Sequence, residues 1–192
     1  MATDFPTQAR VVIVGGGIMG VGLAYHLGHE GWGADTVLLE KAELTSGSTW
    51  HAAGGFHTLN GDTNMAALQG YTIRLYRELE EITGLSCGLH HVGGITLADT
   101  PERLDMLKAE RAKHRYMGLE TELLTPSEIR DVAELVNTDG ILGALYDPLD
   151  GHLDPSGTTH AYAKAARMGG AEIVTHCPVT ALRPQPDGSW IV

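Results

Sequence analysis

The apolar positions of this chain fall into short runs and helical stripes, separated by glycine and proline. Residues 10–14 (RVVIV) form a β-branched run ending at glycines, a pattern that predicts a fully buried parallel strand. A helix is expected over residues 18–30 and a second apolar strand over 36–40 (TVLLE). Residues 41–60 are rich in Ser, Thr, Gly and His and carry neither strand nor helix period. They read as one long loop, and loops of that length are usually functional. Met65, Leu68, Thr72, Leu75, Leu79 and Ile82 then recur at spacings of three and four, which predicts a helix over residues 62–83 stopped by Gly84.

A strand is predicted over residues 94–98. Thr100-Pro101-Glu102 starts the next helix, with Thr100 as N-cap and proline at the first helical position, and Gly118 ends it. Thr125-Pro126-Ser127-Glu128 repeats the device with a full capping box before a short helix. Residues 141–146 read as a strand, Asp154-Pro155 caps a helix reaching Met168, and Gly169-Gly170 closes it. A strand over 172–175 follows. Asp187-Gly188 makes a hairpin turn between strands at 179–183 and 190–192. The last strand is cut short, so the sequence reads as the N-terminal part of a longer enzyme. The order of elements predicts an α/β fold. Residues 1–60 give the first part of a nucleotide-binding domain, 61–170 an inserted α+β portion contributing to a substrate domain plus a return helix, and 171–192 the region of the third strand.

Composition narrows the function. Thirteen Lys plus Arg against 24 Asp plus Glu give a net charge of −11, which disfavours nucleic acid and anionic lipid as partners. Two cysteines, Cys87 and Cys177, cannot form a disulfide framework and suit a reducing cytoplasm. The uncharged stretch 11–25 is too short to span a membrane and is interrupted by glycines; Asp4 accompanies Arg10 ahead of it and no cleavage site follows, which argues against an export signal.

Gly15-x-Gly17-x-x-Gly20 lies directly after the first strand and opens the first helix, the context in which this spacing carries meaning. Gly15 permits the tight turn, Gly17 lets backbone approach a pyrophosphate, and Gly20 lets helix and strand pack closely. The helix N-terminus offers unpaired N–H groups and a positive dipole end to the phosphates. Glu40, twenty residues past Gly20, can accept hydrogen bonds from a ribose diol and would repel a 2′-phosphate, favouring FAD or NAD over NADP. In a nicotinamide enzyme the second strand normally leads soon into another crossover helix. Here it leads into Gly47-Ser48-Thr49-Trp50-His51-Ala52-Ala53-Gly54-Gly55, a loop suited to wrapping a bulkier cofactor with backbone amides.

The stretches VVIVGGGIMGVGLAYHL, VLLEKAELTSGSTWHAAG, GALYDPLDGHLDPSG and CPVTALRPQPDGSW resemble the dimethylglycine/sarcosine dehydrogenase branch of the D-amino-acid-oxidase-like flavoproteins, over nearly the whole chain. The resemblance implies a Rossmann-like FAD-binding domain of the glutathione-reductase type. It places Ile18 and Met19 at the pyrophosphate turn, Glu40 and Lys41 at the adenosine ribose, residues 47–55 along the flavin and Val179 at the adenine. It further implies that His51 is joined covalently to the isoalloxazine ring through its 8α-methyl carbon, chemistry open to a neutral imidazole acting as nucleophile. The implied reaction is oxidative demethylation of a small N-methylated amino acid, with hydride passing from the carbon beside nitrogen to flavin N5. The resulting iminium is hydrolysed, or its one-carbon unit is passed to tetrahydrofolate in a region outside this chain. The electron acceptor is left open. Alternatives are another FAD-dependent amino acid or amine oxidase of the same fold, a nicotinamide-dependent dehydrogenase, or a non-catalytic FAD-binding subunit of a heteromeric oxidase.

The other histidines do not assemble a metal site by spacing: His26 and His29 lack a completing carboxylate or thiolate, and adjacent His90 and His91 would face opposite ways. Asp147, Asp150, His152 and Asp154 read as a structural turn and cap, given Pro148 and Gly151.

Overall fold

In chain order the elements are β1 (Val11–Val14), α1 (Ile18–His29), β2 (Thr36–Leu39), β3 (Gly55–Phe56), α2 (Thr63–Thr83), β4 (Gly94–Ala98), α3 (Pro101–Tyr116), β5 (Glu122–Leu124), α4 (Pro126–Val132), β6 (Gly143–Asp147), β7 (Gly151–His152), α5 (Pro155–Met168), β8 (Glu172–Val174), β9 (Arg183–Pro184) and β10 (Trp190–Ile191). They come from a computed structural model that describes residues 6–58 and 60–192. Residues 1–5, with Asp4, and Leu59 within the expected loop lie outside the described residues. Two units form: one comprises Met1–Gly54, Tyr76–Gly88 and Asp154–Val192, the other Gly55–Leu75 and Leu89–Leu153.

The first unit is built on a parallel sheet of order β1-β2-β8, so the third parallel strand joins the outer side of β2, as in a doubly wound fold. β2 is buried along its length because strands flank it on both sides. The expectation that β1 is fully buried is corrected. Ile13 alone of its residues is buried, and Val12 and Val14 are 37% and 56% exposed. Within the described residues β1 pairs with β2 alone, and the sheet face carrying Val12 and Val14 borders an open groove with Val37, Leu39, Trp190 and Ile191. A β-branched run reports strand propensity, but whether both faces are covered depends on partners that the run does not encode.

α5 packs along α1, with Tyr25 and Tyr162 meeting edge to face at a centroid separation of 5.5 Å. Close approach at the helix ends is made possible by glycine. A Cβ on Gly33 would be driven into the carbonyl of Gly169, and Gly170 takes φ +97° to leave the helix. Asp154 caps α5 by accepting from Ser156 N at 2.9 Å, and the stop signals at Gly84 and Gly118 adopt positive φ as expected. The chain after β8 forms only the short β9–β10 ribbon around Pro186-Asp187-Gly188. Residues 179–182 of the predicted strand lie outside any strand.

The second unit carries a three-stranded antiparallel sheet, β4-β6-β5, with α3 on it. Its core is Ala98, Leu107 and Leu145 with Leu104 and Leu123 against them. Both predicted caps are present. Thr100 accepts from Arg103 N, and Thr125 with Glu128 makes the reciprocal capping box. β3 pairs antiparallel with β7, so the expected featureless loop over 41–60 is interrupted by a strand, and by a 3₁₀ turn over Thr49–His51. The stripe proposed for α2 is also corrected. Leu75 and Leu79 of that stripe are buried as expected, but Met65, Leu68 and Ile82 are exposed, and Ala66 and Ile73, outside the stripe, are buried. A helix with apolar residues around much of its circumference has no single face that spacing can choose.

Glycines at close contacts and glycines in open helix should respond with opposite signs. Gly33→Ala is expected to destabilise the protein by about 1–3 kcal/mol through overpacking. Gly22→Ala, inside α1 with open space at its Cβ position, is expected to stabilise it by about 0.5–1 kcal/mol. Denaturant midpoints of the two variants check both signs.

Candidate functional site

The carboxyl ends of β1 and β2 meet the start of α1, and the fingerprint glycines each do a different job there. Gly15 leaves β1 with φ +111° and its N–H donates to Leu39 O at 2.9 Å. A Cβ on Gly20 would collide with the carbonyl of Gly15, which is the close helix–strand packing expected of it. Gly17, the N-cap of α1, offers no side-chain cap, and the first turn carries no acidic group to repel an anion. Gly16 lies between fingerprint positions and was not singled out by the motif. A Cβ there would sit 2.6 Å from Leu44 Cδ2 and 2.9 Å from Glu40 Cβ, so this position too is restricted to glycine.

Glu40 is 8% exposed, and its carboxylate is held by two backbone donors. Gly16 N donates to Oε2 at 2.6 Å and Ala42 N to Oε1 at 2.9 Å. These charge-assisted bonds offset the burial of the carboxylate, and each oxygen keeps a further lone pair that can accept from a hydroxyl. The sequence reading gave Glu40 only the outward role. Its inward role, bracing the glycine turn, has no signature in spacing. Lys41 beside it is exposed, and Val179 lies partly buried beyond β8.

Thr49 connects the loop to the helix. Its Oγ1 accepts from Ile18 N at 3.1 Å and lies 2.9 Å from where a Gly17 Cβ would be. Thr49 thus caps α1 from 31 residues away, a role that Gly17 cannot perform. The loop is also pinned at Thr45, a β-branched residue at φ +71°, whose N–H donates to Gly16 O at 3.1 Å. Ile18 is partly buried and Met19 exposed at the helix start, while Gly47, Ser48, Trp50, Ala52 and Ala53 are exposed along the loop and Gly54 is partly so. Gly55 belongs to β3 in the other unit.

His51 ends the 3₁₀ turn with an exposed ring tilted by 44° against Trp50 at 4.2 Å between centroids. Its Nδ1 lies 3.1 Å from Gly47 O. A carbonyl only accepts, so this bond puts the proton on Nδ1 and leaves the Nε2 lone pair outward. The donor set fits a flavin dinucleotide: a helix N-terminus without a competing anion, a glycine turn open at Gly15, a buried carboxylate with spare acceptors, and an imidazole with a free nucleophilic nitrogen.

In the second unit the acidic cluster is resolved into separate parts. Asp147 and Asp150 are buried and hold Thr58, while Asp154 serves as the α5 cap in the first unit. His152 lies against His90 with the rings tilted at 5.0 Å between centroids, and His91 packs on Phe56. His57, which spacing did not connect to any partner, pairs with Asp150 across 93 residues. Among the described residues no group of three candidate metal ligands assembles, and no helix is long and apolar enough to cross a membrane.

Thr49→Val keeps the shape of the side chain but removes the acceptor for Ile18 N. The expected result is destabilisation by about 1 kcal/mol, in the range of a lost helix cap, together with weaker FAD retention. Thr49→Ser should preserve both, as read by denaturant midpoint and by flavin content after gel filtration.

Comparison with known proteins identifies the family. A family model described as FAD dependent oxidoreductase matches residues 10–192. The chain is 44% identical over 189 residues to the mitochondrial dimethylglycine dehydrogenase of Rattus norvegicus, a match covering 98% of this chain and 22% of that protein. It is 40% identical over 183 residues to the mitochondrial sarcosine dehydrogenase of Homo sapiens, covering 95% and 20% respectively. The crystal structure of L-proline dehydrogenase from P. horikoshii superposes with a TM-score of 0.85 at 26% identity, over 95% of this chain and 48% of that one. The chain thus spans about a fifth of the length of these curated relatives. The family model covers nearly the whole chain, so the chain belongs to the family of FAD dependent oxidoreductases, related within it to dimethylglycine and sarcosine dehydrogenases.

Proposed function

We propose that this chain forms the FAD-binding part of an enzyme that oxidises the C–N bond of a small N-methylated amino acid of the dimethylglycine or sarcosine type. Its one-carbon product is released or passed to tetrahydrofolate by the whole protein. When bound, FAD supplies the two-electron acceptor for that oxidation. In this reading Gly15, Gly17, Ile18, Met19 and Gly20 receive the pyrophosphate, and Glu40 and Lys41 the adenosine ribose. Val179 lies at the adenine, residues 47–55 run along the flavin, and His51 Nε2 is the point of attachment to the 8α carbon. The observation that carries it is the commitment of His51 Nδ1 to Gly47 O, which leaves Nε2 uncommitted on an exposed turn. Covalent attachment needs such a nitrogen, whereas a histidine that only packs beside a flavin does not.

Two free thiols, Cys87 buried and Cys177 partly exposed, suit a reducing compartment. Burial pushes the Cys87 thiol up and so keeps it in its less reactive protonated form. The cytoplasm is the location proposed from the sequence. Both named relatives are described as mitochondrial, and fractionation of the source cells distinguishes the two.

The test is acid precipitation of the intact, flavin-loaded protein. The expected outcome is a yellow pellet and a Trp50-His51 peptide carrying the mass of FAD. His51→Ala should release its FAD to the supernatant and show a lower flavin reduction potential. FAD found free after precipitation of fully loaded wild type overturns the attachment, and a colourless protein that binds NAD instead overturns the flavin reading.

A further inference from the structure

His90 and His152 meet side by side on antiparallel segments of the second unit. They exchange both backbone bonds, His90 N donating to His152 O at 2.8 Å and His152 N to His90 O at 3.0 Å. Directly paired positions of antiparallel segments send their side chains to one face, with Cβ atoms about 4.5–5.5 Å apart. Here the ring centroids are 5.0 Å apart, the planes are 37° from parallel, and both residues are exposed. The segment carrying His90 is pressed closely onto β7, because a Cβ on Gly151 would collide with the carbonyl of His90. The separation of the two rings is therefore set by backbone.

Neighbouring imidazoles are committed elsewhere. His57 Nδ1 lies 3.0 Å from Asp150 Oδ2, and His91 Nδ1 donates to Leu149 O at 3.1 Å. His29, a turn away from His26 on α1, has Nε2 2.8 Å from the hydroxyl of Tyr25. The rings of His90 and His152 have only each other among the described residues, with no carboxylate or carbonyl to take up their polar atoms.

We infer that His90 and His152 form a two-imidazole site for a divalent first-row transition cation of the copper or zinc kind, with water completing the coordination. Imidazole nitrogen suits these cations, whereas calcium and magnesium take oxygen ligands. At Zn–N distances of about 2.0–2.1 Å, a tetrahedral centre holds two nitrogens about 3.3 Å apart. Rings 5.0 Å apart at their centroids reach that separation by rotation about χ2, without movement of the backbone. Two protein donors are fewer than a permanent zinc centre uses, so the site is an exchangeable one. Its affinity comes from preorganisation: once one imidazole holds the cation, the second binds it intramolecularly. The cation joins His90, which lies outside the named strands, to β7, and by binding the paired form it stabilises the fold. Spacing along the chain sets His90 against His91, which faces the other way, and only strand pairing brings it to His152. The inference does not depend on the amine-oxidation reading.

The test is calorimetric titration of Cu²⁺ and of Zn²⁺ into the intact, flavin-loaded protein, freed of metal by EDTA and carrying no histidine tag. One saturable site per chain is expected, tighter for Cu²⁺ than for Zn²⁺. His90→Gln and His152→Gln should each weaken Cu²⁺ binding by about 10²-fold or more, and combining them should add little, because a single imidazole cannot chelate. His57→Gln and His29→Gln should leave the affinity unchanged. With one equivalent of Cu²⁺, the electron paramagnetic resonance spectrum of wild type should show two coordinated nitrogens, and that of either single variant one. Denaturant midpoints without metal check that the variants fold, and Zn²⁺ should raise the midpoint of wild type but not of the variants. Absence of saturable binding overturns the inference, as does equal Cu²⁺ affinity in wild type and both single variants, which assigns the metal to other histidines. A wild-type spectrum with fewer than two nitrogens overturns it without recourse to any variant.

Discussion

A single buried carboxylate sets the geometry of the cofactor end of this fold. Glu40 accepts from Gly16 N with one oxygen and from Ala42 N with the other, while its own N–H donates to Val174 O and its carbonyl accepts from Cys177 N. Through one residue the glycine turn, the exit from β2, the end of β8 and the segment beyond it share a common frame. The arrangement is self-consistent in a particular way. The charge needs partners because it is buried, and the turn needs a fixed acceptor because Gly16 N points away from any ladder. Neither requirement is met without the other.

Around that frame the glycines act through different physics. Gly15 supplies a positive φ, Gly16 yields space to Leu44 and Glu40, and Gly20 admits the backbone of the preceding turn. At the far end of the same helix, Gly28 and Gly33 let α1 and its continuation lie against Gly169. In this unit glycine therefore sits where the backbone turns to positive φ or where a neighbour leaves no room for a Cβ.

What could be read from the sequence was what is decided locally. The N-caps at Thr100, Thr125 and Asp154, the stops at Gly84 and Gly118, and the strand–turn–helix of the fingerprint depend on neighbours within a few residues, and all formed as expected. The exposure of Val12 and Val14 and the buried side of α2 depend on what covers them, which no local pattern states. The same holds at the sites. Thr49 was recognisable as a loop residue, but its bond to Ile18 spans 31 positions. The partnership of His57 with Asp150 spans 93. A reading by spacing grouped Asp150 with Asp154, its near neighbour in sequence, although the two carboxylates serve different units.

The order of strands in the parallel sheet also bears on how the protein is made. β2 pairs with β1, its neighbour in the chain, but its other edge waits for β8, which follows roughly 130 residues later. At synthesis rates of about 5–20 residues per second, that interval is roughly 7 to 26 s. A β1–β2 pair formed in that interval would have an outer edge of open backbone donors and acceptors, Glu40 N among them. The second unit is synthesised almost entirely within this window. Closing the edge of β2 therefore comes after the second unit has been synthesised, which makes β2–β8 pairing a contact of long sequence separation and a slow one to form.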